Sequence, residues 1–329
     1  MRTLDRIRKP EYFFRPSLLI ARLTRSVGRG YRVVTPSWKL SLAVDPAEEI
    51  GRALVQMGVY DLPVSEAIWR LLDPGEQAID VGANIGYITS IMAAKAGTGG
   101  RVIAFEPHPE LFPILEGNIF RWRKFNIGAV RAHQVALSNR VGRGTLHTPD
   151  GFEQNRGLAS LNESGGSVAD VPVEVSQLDR HVENDEAAAI LKVDVEGHEL
   201  QVFQGSAMLL TGRRVRDIVF EEFRDYPTPV TAFLEQFGYA IYQLGMTFWG
   251  PILANANAPY ASKRQWVARS MLATLDSARA RKRLAPRGWQ ILRPKVLPAY
   301  VTDAGSDVGG ITGSGDSSCS CPLPASRYS

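Results

Sequence analysis

Short apolar runs of strand length alternate along this chain with stretches whose apolar residues recur every three to four positions. The clearest run is Ala78-Ile79-Asp80-Val81, rich in β-formers and bounded by turn residues, which reads as a strand. The chain then turns through Gly82 and Gly86, and Ile88, Ile91 and Met92 recur behind the turn at helical spacing. Further strands are expected at 101–106, 130–137, 189–195, 217–222 and 239–244, with 265–268 as a candidate to complete the sheet. Helical spacing marks 110–125, the stretch through Leu200, Val202 and Phe203, and 229–237. Ahead of the first strand, 38–44 predicts a strand, and 17–25, 46–57 and 64–72 predict helices. A basic helix is expected over 271–284.

Strands alternating with helices predict an α/β fold, a doubly wound and mostly parallel sheet with helices on both faces. A turn-rich, strand-like stretch at about 141–175 reads as a small antiparallel β insertion. The expected organisation is a basic N-terminal cap over 1–60 and a nucleotide-binding domain over 61–270. A basic helix and extension follow over 271–302, then a Gly/Ser/Asp-rich tail over 303–329 of disordered composition. In open α/β sheets ligands collect at the carboxyl ends of the strands. Asp80, Glu106, Asp194 and Glu222 all fall there.

Charge sharpens this division. The formal net charge of +4 conceals +8 over 1–40, −11 over 41–262 and +9 over 263–295. Basic flanks of this kind suit weak contact with a membrane surface or another anionic partner. The plainer reading is solvated helix faces partly paired with the acidic middle, and no specific nucleic-acid partner is expected. Cys319 and Cys321 are too close in sequence for an unstrained bridge and sit in the tail, so a reducing, cytoplasmic setting is expected. No apolar run reaches transmembrane length.

The glycine corner carries the first chemical signal. A dinucleotide fingerprint reads Gly-x-Gly-x-x-Gly, but here Gly82 and Gly86 are separated by three residues, with Asn84 between them. Asp80 stands two residues ahead, and an acid aimed into the turn would repel a pyrophosphate and suit a cationic or amino-bearing ligand. That favours the sulfonium nucleoside S-adenosylmethionine (AdoMet) over a nicotinamide cofactor. Glu106 lies close to the offset of about 20 residues at which an acid binds ribose hydroxyls, although it could simply cap the next helix.

Taken in order, Ile79-Asp-Val-Gly-Ala-Asn-Ile-Gly86, Ala104-Phe-Glu-Pro107, Leu178-Asp179 and Leu191-Lys-Val-Asp-Val-Glu-Gly-His-Glu199 resemble the FkbM-type methyltransferases. The resemblance runs from about Trp38 to Leu244, with Gly58-Val-Tyr-Asp61 also similar. It implies the Rossmann-like class I methyltransferase fold and methyl transfer from AdoMet to a hydroxyl of a sugar, glycan or small natural product. It assigns Asp80, Gly82, Asn84 and Gly86 to the methionine side of AdoMet, Glu106 to the ribose, and Asp194 to the methionine amine or the transferring methyl.

Methyl transfer from a sulfonium needs an aligned acceptor and removal of the acceptor proton. Asp194, Glu196 and His198 are the catalytic candidates bordering that hydroxyl. His198 has a base's ordinary pKa, yet a histidine opening a helix is as often a capping residue. Lys192, two residues before Asp194, lies on the same strand face and can pair with that carboxylate. Carboxylates at 194, 196 and 222 offer no legible octahedral set, so no metal is expected. Two other classes remain: a nicotinamide-dependent oxidoreductase, and a non-catalytic nucleotide-binding adaptor using the basic flanks.

Overall fold

The protein is described by a computed structural model covering residues 9–14, 30–152, 154–162, 167–183, 186–259, 269–295 and 297–300. The helix expected over 17–25, the strand over 265–268 and the tail over 303–329 lie outside these residues. A short helix α1 (Pro10–Phe14) precedes an antiparallel pair, β1 (Arg32–Val34) and β2 (Leu42–Val44). Helices α2 (Glu49–Met57) and α3 (Leu62–Leu71) follow. Trp38, Leu40, Leu42 and Val44 are buried in the same core as the main sheet, so the described part of the cap is continuous with the rest of the chain. Asn118 holds it there, accepting from Ala43 N at 2.7 Å and donating to Ile85 O at 2.8 Å.

The main sheet begins with β3 (Gln77–Val81), α4 (Tyr87–Ala96), β4 (Arg101–Phe105), α5 (Phe112–Trp122) and β5 (Ala129–His133). It continues after the insertion with β9 (Ala188–Val193), α6 (Glu199–Gln204), α7 (Ala207–Thr211), β10 (Val215–Glu221) and α8 (Pro229–Gln236). The last elements are β11 (Ala240–Thr247), β12 (Gly250–Asn255), β13 (Ser270–Thr274) and α9 (Ser277–Leu284). Strand order is β12-β11-β13-β10-β9-β3-β4-β5. The five strands from β10 to β5 are parallel, and β13 enters antiparallel between β10 and β11.

Period-two alternation sorts side chains to the two faces. Ala78, Ile190, Val219 and Leu272 join the core beneath α3 and α4, while Ile79, Val81, Leu191, Phe220 and Met271 join the opposite core beneath α6 to α8. The chain leaves β3 toward β4 and β5, then returns to place β9 on β3's other side. The gap between the carboxyl ends of β3 and β9 is therefore the topological switch point, where such sheets bind ligands.

Two expected elements divide differently. The single strand expected over 130–137 is β5 at the sheet edge, then a separate β6 (Ala136–Leu137). This pairs with β8 (Ser167–Ser176), which also takes β7 (Gly142–Pro149) antiparallel, so the insertion is a three-stranded sheet. The helix expected over 271–284 begins only at Ser277. All five residues of Ser270–Thr274 are buried between β10 and β11, so its run is that of an interior strand, and Asp276 caps α9 by accepting from Arg279 N at 2.9 Å. The boundary expected at 270 thus falls beside a strand of the main sheet.

The basic C-terminal flank is tied to the acidic middle. Arg279 and Arg283 bind Asp73, and Arg279 also reaches Asp217. Buried Arg70 meets Glu66 at 2.5 Å and donates to the carbonyls of Pro286 and Gly288, while Glu66 accepts from Gln290 N and Ile291 N at 2.8 Å each. This clasp pins 286–291 along α3, which explains part of the positive charge without an external partner.

Candidate functional site

The turn after β3 is built from residues that tolerate left-handed backbone. Gly82 has φ +76°, and a Cβ there would lie 1.9 Å from the carbonyl oxygen of Asp194. Gly86 has φ +89°, and its Cβ would lie 2.7 Å from Leu115 Cδ1. The first glycine thus lets β3 approach β9, and the second lets α4 pack on α5. Gly82 lines the cavity described below, whereas Gly86 does not line it and serves the packing of α4 on α5. Asn84 is left-handed at φ +51°, its Oδ1 accepting from Ile85 N at 2.7 Å and its own N–H donating to Glu106 Oε2 at 2.8 Å.

Asp80 differs most from the sequence-based expectation. It is fully buried beneath the turn, where its Oδ2 accepts from Thr89 Oγ1 at 2.6 Å. The alternation of β3 that buries it also brings it level with Lys192 in the β3–β9 register. Lys192 Nζ lies 3.5 Å from Asp80 and 3.3 Å from Asp194, and donates to Gly82 O at 2.8 Å. Burial raises the Asp80 pKa, opposed by Lys192, whereas Asp194 and Asp80 hold the buried lysine charged. Asp80 therefore supports the floor of the site through Lys192, and Lys192 and Asp194 are the members of this triad that line the cavity.

That cavity, about 720 Å³, opens at the carboxyl ends of β3, β4, β9 and β10. It falls within the range of about 300–1,000 Å³ typical of small-molecule sites. One end is apolar, with Phe105, Val135, Leu137 and Leu146. Beside it Glu106 is 5% exposed, its Oε1 accepting from His108 N at 2.8 Å and its Oε2 from Asn84 N. Burial pushes Glu106 up to about 7, against those two N–H donors.

The other end is acidic. Asp194, Glu196 and Glu221 line it together with Tyr60 and Lys192. Asp61, which caps α3 through Val64 N at 3.3 Å, adds its field. Burial first and then Asp194 push Glu196 up to about 7, and burial pushes Asp61 to about 6. Glu221 is raised well above the carboxylate range by burial, then by Asp194, Asp61 and Glu196.

Glu222, grouped with the site residues by sequence, faces the other way and binds Arg224 at 2.9 Å. Strand parity separates the two glutamates: Glu221 shares Val219's face, that of Lys192 and Asp80. Tyr60 and Asp61 escaped sequence reasoning because their place depends on Tyr87, whose hydroxyl accepts from Tyr60 N and donates to Tyr60 O.

The insertion closes the cavity from above. Gln154 O accepts from Glu49 N at 2.9 Å, joining insertion to cap, and Ser160 Oγ donates to Glu196 O at 2.8 Å. Glu196 is left-handed at φ +51°, so 194–196 is a turn and not the extended segment expected. His198 has both ring nitrogens engaged, Nε2 with Ser138 Oγ at 2.9 Å and Nδ1 with Asn162 Oδ1 at 2.9 Å, and burial lowers its pKa to about 4. It holds the insertion to the start of α6 and presents no free lone pair. His198→Ala should cost about 1–2 kcal/mol of stability for the lost buried hydrogen bonds while leaving the pH profile of turnover unmoved. Loss of the acidic limb of that profile, where a base is protonated, would restore His198 as the base.

The site fits an elongated ligand with an aromatic head, vicinal hydroxyls and a positively charged tail. The apolar end takes the head, Glu106 has lone pairs left for hydroxyls, and the carboxylate-rich end offsets positive charge. Together with the sheet order and the antiparallel β13, these features define a class I AdoMet-dependent methyltransferase fold. Residues 80–241 match the methyltransferase FkbM domain family, and this part of the chain belongs to it. AdoMet is accordingly its cofactor, supplying an activated methyl group when bound.

Among curated proteins, a hexuronic acid methyltransferase, AglP, from Haloferax volcanii is 30% identical over 158 residues, covering 43% of this chain and 60% of that protein. The 31-O-demethyl-FK506 methyltransferase FkbM of Streptomyces tacrolimicus is 33% identical over 162 residues, covering 41% and 60%. Methyltransferase 1 of Beauveria bassiana is 30% identical over 148 residues, covering 39% and 57%. The chain thus spans somewhat over half the length of these relatives.

Proposed function

We propose that this protein transfers the methyl group of AdoMet to a hydroxyl of a sugar, glycan or small natural product. The observation that carries this reading is one cavity at the switch point with two chemically distinct ends: an apolar pocket beside Glu106, and a carboxylate-lined end covered by cap and insertion. Asp194, Glu196 and Glu221 border the second end, which suits an acceptor whose hydroxyl must lose a proton. A relative named for the 31-O position of FK506 supports an oxygen acceptor, and one named for a hexuronic acid supports a sugar. Positioning the acceptor against the methyl falls to a cavity walled by cap and insertion.

Calorimetry tests the donor site. Glu106→Ala removes the acceptor for ribose hydroxyls and orphans the N–H groups of Asn84 and His108. At about 1–3 kcal/mol per unsatisfied buried group, AdoMet affinity should fall on the order of tenfold to a hundredfold. Unchanged affinity would refute the site assignment, and tight NADH binding in its place would favour the nicotinamide alternative. Labelled AdoMet offered with sugars, lipid-linked glycans and small hydroxylated metabolites would then identify the acceptor.

A further inference from the structure

Glu221 has a setting that the methyl-donor site does not explain. It ends β10 on the face shared with Lys192 and lines the acidic end of the cavity. No hydrogen bond from a described residue reaches its carboxyl, whereas Glu222 beside it is saturated by Arg224. Asp194 and Glu196, in the loop after β9, line the same cavity, and the charge of Asp61 at the start of α3 acts on Glu221 as well. Lys192 on β9 faces it too but is already shared between Asp80 and Asp194. Tyr60, Glu49, Glu106, Arg156, His198 and Arg269 also line the cavity, and Arg269 is engaged by Asp225. Like charges crowded around one carboxyl favour its neutral form until a cation arrives.

We propose that Glu221 is the proton acceptor for the acceptor hydroxyl and that the entry of cationic AdoMet leaves it ionised for that role. This rests on the methyl-transfer reading and assigns its base. AdoMet carries one net positive charge, from sulfonium and amine against one carboxylate, and its entry offsets the three neighbouring acids. Glu221 then gives its proton to solvent and stands as a carboxylate toward the acceptor. In the transfer, the acceptor oxygen forms a bond to the methyl carbon as the carbon–sulfur bond breaks, with that electron pair going to sulfur. The hydroxyl proton passes to the Glu221 carboxylate. The sulfur product, S-adenosylhomocysteine, is neutral overall, so the three acids again favour a protonated Glu221 and the cycle closes.

Proton counting tests this without knowing the acceptor. The full chain is titrated with AdoMet in buffers of different ionisation enthalpy, near about pH 7.5, and the released protons are read from the buffer dependence of the heat. Release should approach about one proton per AdoMet, and S-adenosylhomocysteine should release clearly less. Glu221→Gln, which mimics the protonated carboxyl, should bind AdoMet about tenfold more weakly than wild type and lose most of that release, while Glu196→Gln keeps most of it. Equal release by Glu221→Gln and wild type, or equal release for AdoMet and S-adenosylhomocysteine in wild type, overturns the proposal. The wild-type ligand comparison decides alone if Glu221→Gln does not fold. Failure of wild type to bind AdoMet at all would instead overturn the methyl-donor reading.

Discussion

Lys192→Met should lower the stability of the protein by about 3–5 kcal/mol, the range for removing one partner of a buried ion pair. The lysine is 6% exposed and is the cation shared by Asp80, which is fully buried, and Asp194. Methionine fills much of the same volume, so the loss reads charge more than packing. Two carboxylates would remain side by side without a counter-charge, and the carbonyl of Gly82 would lose its donor. The loss should shrink as pH falls. Without Lys192 the Asp80 carboxyl is raised further, and its neutral form, which costs little in that interior, fills at lower pH. Urea denaturation at high and low pH gives both numbers. A loss under about 1 kcal/mol at neutral pH would show that this charge network contributes little to the fold.

Gly82→Ala is expected to cost roughly 2–5 kcal/mol and to abolish AdoMet binding. A left-handed backbone at φ +76° costs a non-glycine residue about 1–2 kcal/mol. The added Cβ would lie 1.9 Å from a backbone oxygen of Asp194, and such overpacking costs a further 1–3 kcal/mol. Relief requires β3 and β9 to part at their carboxyl ends, which moves Lys192 and Asp194 together. Gly86→Ala makes the control. It has the same backbone strain, but its Cβ would meet the tip of Leu115, a side chain that can rotate. Thermal denaturation should therefore place Gly82→Ala well below Gly86→Ala. Equal melting temperatures would mean that the strand approach at Gly82 is not tight.

Much of the fold was legible because its signals are local. The strand–glycine–helix corner at 77–96 and the alternation of 101–105, 188–193 and 215–221 arise from neighbours in sequence. The misread stretches have two meanings locally. Ser270–Thr274 is a five-residue apolar run that reads equally as the start of a helix, and only its place between β10 and β11 makes it a strand. The stretch at 130–137 looks continuous until β6 leaves the main sheet for the insertion. Of the expected site residues, Gly82, Asn84, Glu106, Asp194, Glu196 and His198 line the cavity, while Asp80, Gly86 and Glu222 do not.

The sequence by itself determined the doubly wound sheet and the corner at its switch point, and its motifs favoured the methyl donor, because each signal arises from neighbours along the chain. Only the tertiary structure decided that Asp80 acts through Lys192, that Glu221 rather than Glu222 faces the cavity, and that His198 is bound at both nitrogens. It also brought Tyr60 and Asp61 from the cap to the acidic end. Those assignments depend on strand register, on face and on contacts between residues up to a hundred or more positions apart. A periodicity carries none of that until the sheet is assembled.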